Sequence, residues 1–313
     1  MKNKFFTRKF VPAAQSLQAM KRYGYYMQKI KFTKMQAYGN DYVYINAIDQ
    51  QIDNPNDLAV KISNRHFGIG SDGIVLICPS ERCDFRMRMF NPDGTEGEMC
   101  GNALRSLSKF VYYHKLTDKT DLVIETLGGD QKVKLFVENG EVVNISANIG
   151  KPGLKSCQVP AVFSDGTCDD KSFMDQPIEV LNRTFYMSSL SWGNPHTVMF
   201  IDDVDTFEVE KYGPAIECMT SVFPKKTNVT FAQVISESRI KIREWERGTG
   251  ETIGCGTGCC TAVVFAHLLG KCGRIVDVEQ IGGPLHVEWD ANDHVHMTGP
   301  SYVVYEGEYF YEA

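Results

Sequence analysis

The chain repeats itself, and this constrains its fold more than any other feature. The run Tyr38-Gly39-Asn40-Asp41-Tyr42-Val43 returns in outline as Trp192-Gly193-Asn194-Pro195-His196-Thr197-Val198, with the shared Gly-Asn pair 154 residues apart. Gly128-Gly129, closing one apolar run, returns as Gly282-Gly283 at the same spacing. Between them, Met99-Cys100-Gly101-Asn102-Ala103 returns as Gly254-Cys255-Gly256-Thr257-Gly258 at a spacing of 155, as a one-residue insertion would give. Three matches in one order at nearly one spacing read as two homologous halves, near 27–150 and 181–304. Residues 151–180 read as a variable connector.

Both halves follow one pattern. Apolar runs predict strands at 29–35, 41–48, 73–78 and 85–90, and again at 122–126, 132–137 and 142–149. A helix follows the first Cys-Gly pair, with Ala103, Leu104, Leu107, Phe110 and Val111 on one face. In the second half, 259–269 is apolar nearly all round, which predicts a helix enclosed by its sheet. Strands are predicted to follow at 275–280, 285–289 and 294–297. Strand-dominated halves with one enclosed helix each give an α+β fold rather than a doubly wound sheet.

At 313 residues and 43% hydrophobic, the chain has the apolar mass for two domains or one large one, which excludes general disorder. No apolar run approaches the ~18 residues that span a bilayer. A net charge of −6 disfavours a nucleic-acid partner. Residues 1–26 carry Lys2, Lys4, Arg8, Lys9, Lys21 and Arg22 and no acid. They lack the apolar core of a secretory signal and read as a disordered extension ahead of Met27. The expected location is cytoplasmic.

Ten cysteines in a chain of this length do not make a disulfide scaffold, and no C-x-x-C pair occurs. Cys255, Cys259 and Cys260 cluster without the spaced pairs that a structural zinc site needs, so no metal is expected. Most of the thiols are expected to be reduced, buried small hydrophobes. Cys100 and Cys255 differ because each directly precedes a predicted helix. Helix starts carry unpaired N–H groups and partial positive charge, which lowers a thiol's pKa and holds a carboxylate. Gly101, Gly256 and Gly258 let a ligand approach the backbone closely. Inverting a carbon beside a carboxylate needs a base on one face and an acid on the other, and two facing thiols supply both. Such a reaction demands no cofactor.

These residues resemble the diaminopimelate epimerase family. The resemblance lies in Phe90-Asn91-Pro92-Asp93-Gly94-Thr95-Glu96-Gly97-Glu98-Met99-Cys100-Gly101-Asn102-Ala103-Leu104-Arg105 and in Glu246-Arg247-Gly248-Thr249-Gly250-Glu251-Thr252-Ile253-Gly254-Cys255-Gly256-Thr257-Gly258. Gly39-Asn40-Asp41, Asn64-Arg65, the run 68–73, Gly193-Asn194-Pro195-His196 and Thr227-Asn228 add to it, in order over roughly 27–313. The resemblance implies two pseudo-symmetric domains, each a mostly antiparallel curled sheet around a central helix, with the active site in the cleft between them. It implies an N-terminal domain of 27–149 plus 298–313 and a C-terminal domain of 150–297. It implies interconversion of LL- and meso-2,6-diaminopimelate without pyridoxal phosphate, in lysine and peptidoglycan-precursor synthesis, by a homodimer.

Carried over by that resemblance, Cys100 and Cys255 are the acid/base pair. The N–H groups of Gly101, Asn102, Gly256 and Thr257 bind the reacting carboxylate. Asn40, Asn91, Asn194, Asn228, Glu246 and Arg247 bind the rest of the substrate, with the Arg247 fork suited to the distal carboxylate. His196 and Glu246 assist at the reacting centre. Some relatives carry Gln where this chain has Gly73, so that side-chain contact is missing. The competing readings are a proline racemase or hydroxyproline epimerase, which usually carries His where this chain has Asn102, a phenazine-biosynthesis-like isomerase without the cysteine pair, and a non-catalytic binder.

Overall fold

The computed structural model describes residues 27–312, and the extension at 1–26 lies outside them. The strands form one continuous mixed sheet of 18. From one edge, Tyr302–Glu312 pairs with Met27–Ala37, and the sheet then runs through Asn40–Asn46, Ile74–Cys78, Phe85–Phe90, Asp121–Thr126, Gly129–Glu138 and Glu141–Asn148. From the other edge, Phe173–Val180 pairs with Arg183–Ser191. Pro195–Phe200, Asn228–Ser236, Arg239–Glu246, Ile275–Gln280, Gly283–Trp289 and Val295–Gly299 follow. The two series match strand for strand. They join where Glu141–Asn148 lies antiparallel to Val295–Gly299, with Ile145 opposite Gly299 and Asn148 opposite His296. Four pairings are parallel and the rest antiparallel.

The architecture is the expected α+β pair of curled sheets, and two details correct the sequence reading. Residues 151–180 are not merely a connector: Phe173–Val180 is a strand on Arg183–Ser191, equivalent to the C-terminal strand on Met27–Ala37. Each half also has a second helix. These are α1 (Pro55–Ser63) and α3 (Val209–Glu217), with starts 154 residues apart. Helix α1 begins where Asn54 accepts a hydrogen bond from the Asp57 N–H, with Pro55 in the first turn. Each covers the outer face of its sheet over a separate apolar cluster, one around Leu58 and Ile62, the other around Tyr212 and Ile216.

The central helices are α2 (Gly101–Tyr113) and α4 (Gly256–Leu268). Ala103, Leu104, Leu107, Phe110 and Val111 of α2 are buried, as is nearly all of α4 through Ala266. One large core containing both helices spans the two halves. Fully burying each Leu, Val or Phe side chain there contributes roughly 1.5–3 kcal/mol. Phe265, wholly buried in α4, should cost about 3–5 kcal/mol on Phe265→Ala. Half-exposed Phe310→Ala should cost under about 0.5 kcal/mol. Urea unfolding of the two variants side by side checks both.

Candidate active site

Both central helices start the same way. Cys100 and Cys255 are the N-cap residues, extended at φ −133° and −122°, and neither has an oxygen with which to cap the first-turn N–H groups. Met297 of Val295–Gly299, the strand joining the halves, sits between the two starts. A Cβ added at Gly101 would overlap its methyl, and one added at Gly256 would lie 2.8 Å from its sulfur. Asn102 Nδ2 donates across the halves to the Gly254 carbonyl at 3.5 Å. The two Cys-Gly turns therefore meet.

Behind them lies a residue that sequence reasoning passed over. Arg105 of α2 is wholly buried. Its Nη2 donates to Asn102 Oδ1 at 2.6 Å, and its guanidinium lies 5.4 Å from the Tyr38 ring centroid. Its Nε and Nη1 have no partner among the described residues. Burial pushes its pKa down, yet an arginine retains its charge; burial raises the pKa of Cys100, Cys259 and Cys260, and that charge offsets part of the rise. Its neighbours at helical spacing, Gly101, Asn102, Ser108 and Lys109, are small or polar, so the pattern reads as a solvated face.

The hairpin turn Tyr38-Gly39 brings Asn40 to Cys100. Ala37 pairs with Asn40 and both turn residues have positive φ, as the tight turn matching strand twist requires. Tyr38 accepts this conformation with its hydroxyl bonded to the Pro284 carbonyl of the other half at 2.6 Å. Cys100 Sγ donates to Asn40 Oδ1 at 3.4 Å, and Asn40 Nδ2 donates to Asp72 Oδ2 at 2.8 Å. Arg65 bonds Asp72 and Asp41, and buried Lys34 pairs with Asp41, so the turn is fixed by charge as well as by backbone. Gly73 has φ +143°, and a Cβ there would collide with the Phe90 carbonyl. The backbone itself thus rejects a glutamine at this position.

Around Cys255, Thr257 Oγ1 lies 3.5 Å from the sulfur, and the Cys255 N–H donates to Gln280 Oε1 at 2.9 Å. Glu246 accepts from Thr252 Oγ1 at 2.6 Å, and its charge reaches both thiols. Asn228 bonds the Arg247 N–H through Oδ1 at 2.9 Å and the Pro195 carbonyl through Nδ2 at 2.9 Å. Arg247 itself is exposed, its Nη1 on the Lys225 carbonyl. Asn91 donates to Thr95 within its own turn, and Asn194 lies in the loop 192–194 with its carbonyl accepting from Trp192 N. Among the described residues neither side chain bonds to a cysteine turn.

Two expectations about the thiols are corrected. Helix starts were expected to lower the pKa of Cys100 and Cys255, but burial raises both, Cys255 well above its ordinary value. N–H groups of Asn102 and Ala103 at one sulfur, and of Gly258 at the other, pull downward without overcoming desolvation. Nor are most cysteines buried. Cys255, Cys259, Cys260 and Cys272 are buried, whereas Cys157, Cys168 and Cys218 are exposed, and all ten are free. Among the described residues no group of three or more metal-ligating side chains converges.

His196 is wholly buried with a pKa pushed down to about 3, first by desolvation and then by the Arg247 charge. The carboxyl nearest its Nδ1 belongs not to Glu246 but to Glu244, at 3.9 Å. Glu244 is a second residue that the sequence reading missed. The alternation Ile240, Ile242, Glu244 along Arg239–Glu246 puts it on the inward face.

The diaminopimelate epimerase family pattern matches residues 32–154 and 188–304. Diaminopimelate epimerase of Methanococcus maripaludis strain C5 is 47% identical over 280 residues, covering 89% of this chain and 99% of that protein. The Desulfovibrio desulfuricans enzyme of the same name is 46% identical over 283 residues, covering 90% and 98%. Among solved structures, a Bacillus anthracis phenazine biosynthesis protein of the PhzF family superposes with a TM-score of 0.65 at 18% identity, covering 90% of this chain and 99% of that one. A hydroxyproline epimerase from Agrobacterium vitis gives 0.61 at 12%, covering 92% and 94%. These two share the fold.

The buried histidine carries a pH dependence. Between pH 6.5 and about 3 the unfolded state binds the proton that folded His196 refuses, so stability should fall by about 1.4 kcal/mol per unit of acidification across that window. Denaturant unfolding at stepped pH, with His196→Asn lacking this component, measures it. Separately, a Cβ on Gly258 would drive into the Glu244 carboxyl. Gly258→Ala should lose about 1–3 kcal/mol in the same assay.

Proposed function

This chain belongs to the diaminopimelate epimerase family, and we propose that it interconverts LL- and meso-2,6-diaminopimelate by two-base proton transfer between Cys100 and Cys255. It is an isomerase of an amino-acid substrate, and it shares an architecture with a hydroxyproline epimerase and a phenazine biosynthesis protein. The observation that carries the mechanism is the meeting of two thiol-bearing helix starts across Met297, with Glu246 acting on both thiols.

On this reading the substrate carboxylate binds the N–H groups of Gly101, Asn102, Gly256 and Thr257, where both helix dipoles and Arg105 present positive charge. Asn40, Asn91, Asn194, Asn228, Glu246 and Arg247 hold the remaining amino and carboxylate groups, with His196 in support. One thiolate takes the α-proton from one face while the opposite thiol delivers its proton to the other. The roles swap for the reverse direction. Because burial keeps the unliganded thiols protonated, the ammonium of the arriving substrate helps to form the thiolate.

The same reading takes 27–149 plus 298–313 and 150–297 as the two domains, with closure of their cleft excluding water from the thiols. It takes the enzyme as a cytoplasmic homodimer working without a cofactor in lysine and peptidoglycan-precursor synthesis.

The test is α-hydrogen exchange in D₂O with LL-diaminopimelate, proline and hydroxyproline in parallel, under reducing conditions. Deuterium should enter diaminopimelate alone, with formation of the meso isomer, and Cys100→Ala and Cys255→Ala should each abolish turnover while remaining folded. Exchange into proline instead, or into none of the three, overturns the substrate assignment. Full activity in either cysteine variant overturns the two-base assignment.

A further inference from the structure

Two buried acids differ sharply in their company. Glu217 bonds Lys226, the Trp245 indole N–H and the Gly248 N–H, and its pKa is lowered despite burial. Glu244 is only 2% exposed and accepts one hydrogen bond, from Thr230 Oγ1 to Oε2 at 2.5 Å. Its Oε1 has no partner among the described residues, and neither does the His196 Nδ1 that it faces.

We propose that Glu244 is a protonated carboxylic acid that positions Cys255 and donates a hydrogen bond to its thiolate. The proposal rests on the two-thiol reading for its catalytic consequence. The geometry starts at Gly258, in the first turn of α4. A Cβ there would lie 2.9 Å from Glu244 Oε1 and nearer still to Oε2, so the missing side chain is what lets the carboxyl reach the helix start. The Gly258 N–H also faces the Cys255 sulfur, so the carboxyl and the thiol both lie at the first turn of α4. Thr230 stands directly opposite Glu244 in the strand register and orients the carboxyl from behind.

The charges around Glu244 favour its neutral form. Glu246 follows two residues along its own strand, His196 faces it from Pro195–Phe200, and Cys255 and Cys259 face it from α4. His196 is neutral down to about pH 3, so it supplies no positive charge to offset a carboxylate there. Burial and the charge of Glu246 push the Glu244 pKa well up. Ionised, Glu244 would set a second negative charge beside a thiolate that already feels Glu246. Neutral, it offers the sulfur an O–H in addition to the Thr257 hydroxyl. When Cys255 gives its proton to the α-carbon, the S–H electron pair stays on sulfur and the Glu244 O–H points to it. The Glu244 proton itself does not move. In the opposite direction the same thiolate takes the α-proton and the contact reverts to a thiol.

The full-length protein tests this in two ways. The infrared difference between wild type and Glu244→Gln at neutral pH should contain the carbonyl stretch of a protonated acid, and carboxylate bands in its place overturn the proposal. The pH midpoint of Cys255 alkylation by iodoacetamide, mapped by mass spectrometry, should rise by about one to two units in Glu244→Leu. In that variant kcat should fall roughly ten- to a hundredfold with KM little changed. Glu244→Gln, still a neutral donor, should restore both, and Cys100 should alkylate as in wild type throughout. An unmoved Cys255 midpoint, with Cys255→Ala inactive, overturns the role of Glu244 alone. Full turnover by Cys255→Ala overturns the two-thiol reading itself. Should Glu244→Leu fail to fold, the infrared comparison on folded Glu244→Gln decides.

Discussion

The meeting of two helix N-termini across one methionine sets the terms for the rest of the molecule. Two positive helix ends brought into a common space repel, and Arg105 adds a buried cation to the same place. The surrounding fold supplies the compensation in apolar contact: α2 and α4 share one core that spans both halves, and Val295–Gly299 ties that core to the ladder joining the two sheets. What results is a buried meeting place of two positive helix ends and a guanidinium, with the Glu246 charge beside them. It suits an anion, and it suits a thiolate only when something else offsets desolvation.

That balance explains why burial and dipole act in opposition at the cysteines. A helix start in water would leave a thiol acidic. Here desolvation dominates at both, more so at Cys255 than at the half-buried Cys100. The halves repeat in strand order but not in local contact. The Tyr38-Gly39 turn docks on Ile253, Gly282 and Pro284. Its counterpart at Trp192-Gly193 opens instead onto a cavity of about 450 Å³ lined also by Gly128, Lys132 and His294. Backbone repeats and side-chain environments have diverged separately.

The repeat spacing and the apolar runs made much of this legible in the sequence. The expected strand at 85–90 and the one at 275–280 coincide with Phe85–Phe90 and Ile275–Gln280, and the apolar α4 is enclosed as its composition required. Helices α1 and α3 escaped because nine residues bearing Pro55, Asn56 and Asp57, or Gly213 and Pro214, read locally as turns until packing overrides them. The strand Phe173–Val180 escaped because its partner register is set by tertiary pairing. Motif spacing placed Cys100 and Cys255 at two helix starts, where the structure has them. Glu244 and Arg105 were hidden because burial of a charged side chain is invisible to pattern until the opposing element is known.

The pairing of Tyr302–Glu312 with Met27–Ala37 has a consequence for how the chain is made. The first strand of the described fold waits for the last. At a synthesis rate of about 5–20 residues per second, the 264 residues between Ala37 and Tyr302 take roughly 13–53 s to appear. Throughout that interval Met27–Ala37 has only Asn40–Asn46 beside it, and its other edge is bare, with Ile30 and Phe32 lacking the cover of the C-terminal strand. Sequence-distant closure of this kind also slows folding once synthesis ends. The nascent chain thus carries an unpaired strand edge, open to edge-to-edge aggregation, until the final residues leave the ribosome.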